Sequence, residues 1–399
     1  MTALAGVSTR DALASLLDSD PDDAVETVRA NVGGALAGGD GLVFAGAGQV
    51  GRWLAGELAR LGVTIDCFAD NSARLAGVTV DGIPVLTPAE AVRRHPDATF
   101  VTTIFTTTPL AAQLAGLGAR QVISWTELAW AHGESVLPYF GLALPHGMIA
   151  AADDIMRVHD LLADERSRRM LVDQVRWRLT LDTSAQEPPA RFADIYAEPD
   201  VCVPTSRDVY VDCGAFDGDS IAAHLDRVGG DAAGIVAIEA DPANLSALTA
   251  RVAALPGRMA ERVVVHAVAL GARRGQATFR ASGSAGSALS AGALSAGAGG
   301  TASEIDVEVA PLDELIAGRG ATYIKMDIEG AEPDALAGAA NTLAAAQAVW
   351  AVCLYHAADH LWRVPLQIAD SGGAYRHSMR RYTQDCWELV HYAVPLDRQ

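Results

Sequence analysis

The sequence predicts an α/β protein built of two units, each with a mainly parallel sheet. Short apolar, β-branched segments alternate with amphipathic helical ones, the pattern of parallel strands joined by crossover helices. The alternation runs twice, separated by a long stretch of helical periodicity. Each run opens on a strand, a glycine-rich turn and a helix start, first at GAGQVG and later at DCGAFDGDS. A length of 399 residues accommodates two or three domains of roughly 100–200 residues each.

Residues 9–37 read as one or two short helices, with Ser8, Thr9 and Asp20 as caps and Gly33-Gly34 and Gly38-Gly39 as stops. The first α/β run follows. Gly41–Ala45, Thr64–Ala69 and Ala98–Phe105 are its strands, and Gln49–Leu61 is an amphipathic helix; the pattern fades after Val122–Ser124. Met148–Leu181 lacks Pro and Gly and carries Ile155, Val158, Leu162, Met170, Leu171, Val175 and Leu179 at mostly helical spacing, so one long helix or two should join the halves. Pro188-Pro189 ends it, and 190–207 reads as an irregular connector. The second run has strands at Val209–Cys213, Gly234–Glu239, Arg262–Ala269, Ala321–Asp327 and Val349–Tyr355. The Ala/Gly/Ser-rich stretch 281–300 reads as a surface loop, or alternatively as a lid. The expected division is a helical segment at 1–39, an α/β domain at 40–147, a helical linker and connector at 148–207, and a second α/β domain at 208–399.

Thirty basic against 49 acidic residues give a formal charge of −19. Such a surface repels phosphate backbones and anionic lipid, so neither nucleic acid nor a membrane is an expected partner. Five widely spaced cysteines without a CxxC pair argue against a disulfide framework or a cysteine zinc site and suit a reducing cytoplasm. The N-terminus has no basic start before an apolar core, and no apolar run of about 20 residues spans a bilayer. Homo-oligomerisation is left open.

Gly46-Ala47-Gly48-Gln49-Val50-Gly51 is a GxGxxG turn, and Asp70 lies where a dinucleotide fold places its ribose-binding acid. Such glycines let a phosphate reach the N–H groups of a helix start. They serve equally to make a tight strand-to-helix turn, and this is the favoured reading, with Gly48 among the structural positions. The unit spans one mononucleotide-binding half and shows no partnered His, Tyr or Lys for hydride chemistry. Phe68-Ala69-Asp70-Asn71 and Gly82-Ile83-Pro84-Val85 resemble the small Rossmann-like domain of sugar-modifying enzymes.

In the second run four strands end on polar groups: Asp212, Glu239, Asp327 and His356. In an open parallel sheet all four ends face one crevice. The turn after Asp212 offers backbone N–H groups to a carboxylate, and its strand-end acid suits an ammonium group. Glu239 can take both hydroxyls of a ribose.

YVDCGAFDGDS, IEADPANL, Pro311-Leu312-Asp313-Glu314-Leu315, IKMDIEGAE, LYH and the closing Tyr392-Ala393-Val394-Pro395 together resemble the FkbM family over about residues 190–399. The resemblance implies a class I methyltransferase with a seven-stranded Rossmann-like sheet, preceded by a smaller Rossmann-like domain as in many members. It implies S-adenosylmethionine as methyl donor and a small-molecule acceptor, a sugar, glycoside or polyketide-like hydroxyl. Carried over by position, the methionine end of the cofactor falls at Asp212, Gly214 and Gly218, with Ala215, Phe216 and Asp217 in the same turn. Glu239 falls at the ribose, and Ala240, Asp241, Ala267 and Val268 at the adenine. The acceptor falls near Asp327, Glu329, Glu332, Tyr355, His356 and His360.

A hydroxyl is a poor nucleophile, so alignment and a nearby base help methyl transfer. His356 is the preferred base because imidazole titrates near neutrality, and Asp327 is its rival. Asp327, Glu329, His356 and His360 also form a set suited to Mg²⁺ or Ca²⁺, although no metal is assigned. Lys325, the sole lysine, reads as an ordinary charged residue near a strand end or, alternatively, as a partner of Glu329 or Glu332. The competing function is an NAD(P)- or nucleotide-sugar-binding oxidoreductase or epimerase working through GAGQVG.

Overall fold

The computed structural model describes residues 7–281, 288–289 and 303–398. Most of the 281–300 stretch therefore lies outside the described residues. Its described dipeptide Ala288–Leu289 pairs with Arg280 and Phe279.

The first unit is a six-stranded sheet. Its strands are β1 (Leu42–Ala45), β2 (Cys67–Ala69), β3 (Thr79–Val80), β4 (Ile83–Leu86), β5 (Thr99–Thr102) and β6 (Gln121–Ser124). The order is β3-β4-β2-β1-β5-β6, parallel except for the β3–β4 hairpin. Every residue of β1 and β5 is buried, as expected for strands covered by helices on both faces.

The second unit is a seven-stranded sheet of β7 (Val209–Cys213), β8 (Gly234–Ile238), β9 (Val263–His266), β14 (Tyr323–Met326), β15 (Val349–Cys353), β16 (Tyr375–Arg381) and β17 (Leu389–Pro395). Between β9 and β14 the chain forms a separate four-stranded sheet of β10 (Ala269–Leu270), β11 (Gly275–Ala281), β12 (Ala288–Leu289) and β13 (Ser303–Ala310). The seven-stranded order is β16-β17-β15-β14-β7-β8-β9, with β17 antiparallel to both neighbours. From β7 the chain builds outward to β9 and then returns to β14 on the other side. The crevice between the β7 and β14 carboxyl ends is thus the switch point where an open α/β sheet takes its ligand.

The segment 148–181 folds as three helices, His146–Ala150, Ala152–Leu161 and Glu165–Thr180. Asp164 caps the last one by accepting the Ser167 N–H at 2.8 Å, which breaks the helical run. These helices are a layer of the second core rather than a free linker. Ile155, Val158, Met170, Leu171 and Val175 pack with Val211, Ile324 and Trp350 of the sheet, each side chain contributing roughly 1.5–3 kcal/mol by burial. The N-terminal helices divide between the cores. Leu13 and Leu17 of Thr9–Leu17 join the second core, whereas Val25, Val28 and Val32 of Pro21–Gly38 join the first. Trp387, from the β16–β17 loop, stacks on Trp125 with centroids 5.8 Å apart and meets Phe105 edge-on at 4.6 Å. This aromatic contact docks the two units together.

Candidate functional site

A cavity of about 540 Å³ opens at the β7–β14 switch point and reaches the first unit. Gly214, Phe216, Ser220, Glu239, Ala240, Asn244 and Val268 line one end. Lys325, Asp327, Glu329, Tyr355 and Glu388 line the middle, and Gln49, Phe105, Phe140 and Trp387 close the far wall.

The turn after β7 is shaped by close approach. Gly214 has φ +81°, and a methyl group there would collide with the Asp327 carbonyl. The Gly214 and Ala215 N–H groups both donate to the Ile238 carbonyl at 3.0 Å, tying the turn to β8. Glu239, 7% exposed, accepts the Phe216 N–H at 2.9 Å on one oxygen and the Asp241 N–H at 2.7 Å on the other. Each oxygen keeps lone-pair capacity, so the carboxylate is both anchored and able to accept ribose hydroxyls.

Asp212 is fully buried and does not line the cavity. It forms an ion pair with Lys325 Nζ at 3.0 Å and accepts the Ser220 hydroxyl. Lys325 donates onward to the Gly214 carbonyl at 2.6 Å. The alternative pairing with Glu329 or Glu332 is therefore corrected: Lys325 stands opposite Asp212 in the β7–β14 register, on the same face of the sheet. Burial works against the charged lysine, but Asp212 and Asp327 hold it protonated, above its usual range. Ala215, Asp217, Gly218, Asp241 and Ala267 also stand off the cavity. Asp217 pairs with Arg251 at 2.8 Å, Gly218 (φ +86°) starts the helix Asp219–Arg227, and Asp241 caps Pro242–Ala253.

At the acceptor end Asp327 accepts the Tyr196 hydroxyl at 2.8 Å and the Tyr355 hydroxyl at 3.2 Å. His356 Nε2 lies 3.2 Å from Asp327 Oδ1 and 3.9 Å from Glu329 Oε2. Its Nδ1 donates to Glu332 Oε1 at 2.7 Å. Glu332 lies beneath the cavity floor, accepting the Ile328 and Gly330 N–H groups at 2.9 and 3.0 Å. His360 also sits behind, 3.4 Å from the second Glu332 oxygen. Glu332, His356 and His360 thus support the floor, while Asp327, Glu329 and Tyr355 form it.

Burial would lower the His356 pKa, but Glu332, Glu329 and Asp327 outweigh it and hold the ring above its ordinary range. His356 does not line the cavity, and the carboxylates around it favour its charged form, so both weigh against the base role expected of it. Burial would raise Asp327; His356 and Lys325 reverse this and hold it ionised, below the usual carboxylate range. Burial raises Glu329 to about 8 and Glu388 to about 7, with Asp327 adding repulsion in both cases.

Tyr196, Ser220, Asn244, Trp387 and Glu388 also touch the cavity but were not singled out in the sequence. Tyr196 and Glu388 lie outside regular elements at φ +60° and +50°. Positive φ at a non-glycine residue cannot be read from the chain.

The GAGQVG turn is held by its own residues. Asp70 accepts the Ala47 N–H at 2.9 Å and the Ser72 N–H at 2.7 Å. Gly46 adopts φ +118°, and a methyl on Gly51 would strike the Gly46 carbonyl. Gly48 is different, with φ −80° and open space around its Cα, which corrects the structural role expected of it.

Among solved structures, methyltransferase FkbM from Methylobacillus flagellatus KT matches with a TM-score of 0.70 at 20% identity, covering 94% of this chain and 100% of that one. It shows the fold. A UDP-N-acetylmuramoylalanine–D-glutamate ligase of Mycolicibacterium smegmatis is 35% identical over 97 residues, 24% of this chain. The chain spans only 20% of that relative's length. Residues 212–383 match the family described as the methyltransferase FkbM domain. The matched segment runs from the Asp212 strand end to the β16–β17 loop and carries Gly214, Glu239, Asp327 and Glu329 of the cavity.

Proposed function

We propose that the protein transfers the methyl group of S-adenosylmethionine to a hydroxyl of a sugar, glycoside or natural-product acceptor. The observation that carries this reading is the single cavity running from the Gly214–Phe216 turn and Glu239 to Asp327 and Tyr355. Its volume of about 540 Å³ falls within the range of small-molecule sites, roughly 300–1,000 Å³. The methionine end of the donor lies along the Gly214 turn above Lys325. Glu239 takes the ribose hydroxyls, and Ala240, Asn244 and Val268 surround the base. The acceptor lies against Phe105, Phe140 and Trp387 with its hydroxyl toward Asp327.

Methyl transfer from a sulfonium needs nucleophile, carbon and sulfur in line, so positioning supplies much of the rate. Asp327, ionised and held by Tyr196 and Tyr355, accepts a hydrogen bond from the acceptor hydroxyl, aims its lone pair at the methyl group and takes its proton as the O–C bond forms and the S–C bond breaks, releasing S-adenosylhomocysteine. The aromatic wall suits a ring-shaped acceptor.

Thermal-shift measurements with S-adenosylhomocysteine, NAD⁺ and nucleotide-sugars test the reading. Stabilisation by S-adenosylhomocysteine and not by NAD⁺ is the expected result. The reverse pattern would replace it with the oxidoreductase reading. The engagement of Asp70 by its own loop weighs against that alternative.

A further inference from the structure

We infer that Asp327, Glu329 and His356 bind a divalent cation at the cavity floor, with its open coordination positions facing the acceptor.

One ligand atom from each residue lies within 4.8 Å of the other two. His356 Nε2 is buried, makes no hydrogen bond and points between two carboxylates, at 3.2 and 3.9 Å. Metal bonds of about 2.1 Å at right angles put neighbouring ligand atoms roughly 3 Å apart, so the observed spacing needs little adjustment. An imidazole nitrogen facing two carboxylates is a favourable place for a cation. Which nitrogen is free is decided from behind: Nδ1 donates to Glu332 at 2.7 Å, leaving the Nε2 lone pair for the site. Glu332 is itself fixed by two backbone N–H groups. A carboxylate on the far side of a histidine is the usual support of a metal-binding imidazole.

The other two groups are also built in place. The two tyrosine hydroxyls hold Asp327 while leaving it lone-pair capacity. Glu329 sits at φ +57° just before Gly330 at φ +107°. A left-handed glutamate is strained and persists where the surroundings hold it, here with its carboxylate at the floor. Asp327 and Glu329 are 22% and 17% exposed and reach the cavity, whereas His356 is sealed, so the open positions face the ligand space. Lys325, the nearby cation, is already paired with Asp212.

Two carboxylate oxygens and one imidazole nitrogen suit a first-row divalent ion such as Mn²⁺ better than an all-oxygen Ca²⁺ cage. An acceptor hydroxyl on that ion would be positioned and made more acidic. This last step rests on the methyl-transfer reading; binding of the ion does not.

The test is titration of chelator-treated full-length protein with Mn²⁺, followed by electron paramagnetic resonance, without cofactor. One ion per chain is expected, with affinity falling at least tenfold in Asp327→Asn and in Glu329→Gln and unchanged in Asp81→Asn. Pulsed measurements on the wild type should show coupling of the ion to an imidazole nitrogen, a readout that needs no variant to fold. Lack of stoichiometric binding, lack of nitrogen coupling, or full affinity in folded Glu329→Gln would overturn the inference. Mn²⁺ binding without S-adenosylhomocysteine binding would instead overturn the methyl-transfer reading alone.

Discussion

Asp212 and Lys325 face each other across adjacent parallel strands, 3.0 Å apart, the carboxylate sealed and the lysine nearly so. They hold the Gly214 turn against β14, because the same ammonium group donates to the Gly214 carbonyl. Removing one partner of such a pair leaves a buried charge uncompensated, at a cost of about 3–5 kcal/mol. Asp212→Ala should therefore lower unfolding stability by about that amount in denaturant titration. The double variant Asp212→Leu/Lys325→Met should be more stable than Asp212→Ala. Equal stability of Asp212→Ala and wild type would dissolve the pair's structural role.

Glu239 is expected to bind the cofactor ribose through charge-assisted hydrogen bonds worth roughly 1.5–3 kcal/mol. Glu239→Ala should weaken S-adenosylhomocysteine binding roughly tenfold to a hundredfold, measured by calorimetry on folded protein. An unchanged affinity would remove Glu239 from the cofactor site.

Tyr196 reaches Asp327 from a connector with no regular structure, and its hydroxyl is the shorter of the two tyrosine bonds. Tyr196→Phe should leave the thermal midpoint nearly unchanged and reduce kcat about tenfold or more, consistent with loss of a hydrogen bond to a charged group. The loss should appear in kcat rather than in cofactor affinity. A drop in affinity with kcat intact would assign Tyr196 to binding instead.

The glycines of the first unit should separate by position. Gly51→Ala meets the Gly46 carbonyl and should destabilise by about 1–3 kcal/mol. Gly48→Ala meets nothing and should stay within about 0.5 kcal/mol. Urea unfolding of both variants distinguishes them, and a large loss of turnover in folded Gly48→Ala would point to a ligand on that turn.

His377 and His391 form a buried pair, Nδ1 to Nε2 at 3.0 Å, in which only one ring can donate. Burial lowers His377 to about 4, and burial together with His377 lowers His391 well below its ordinary range. The unfolded histidines take protons from about pH 6.5 downward while the folded ones resist, so stability is fully present above pH 6.5 and falls as pH drops toward 4. His377 alone should contribute up to about 3 kcal/mol to that fall. His377→Gln/His391→Gln should flatten the dependence of the urea midpoint on pH over this window; an unaltered slope would show that other groups cause it.

Much of the architecture was legible in the chain itself. Buried parallel strands must be apolar on both faces, so Val209–Cys213, Gly234–Ile238 and Tyr323–Met326 stand out by composition alone. Gly214 and Glu239 could be placed at the cavity because a turn and a strand end are local features, and strand ends of one parallel sheet share one edge. The quoted motifs, in their order, then carried the resemblance to the FkbM family. The chain could not reveal which strand-end acid meets ligand and which meets another side chain. Asp212 is paired because the β7–β14 register brings Lys325, far along the sequence, onto the same face. Tyr196 and Glu388 sit in irregular segments at positive φ, where no periodicity marks a side chain's direction. The protonation of His356 belongs to the tertiary structure for the same reason. An isolated imidazole titrates near neutrality. This one is governed by three carboxylates, which only the folded arrangement brings around one ring.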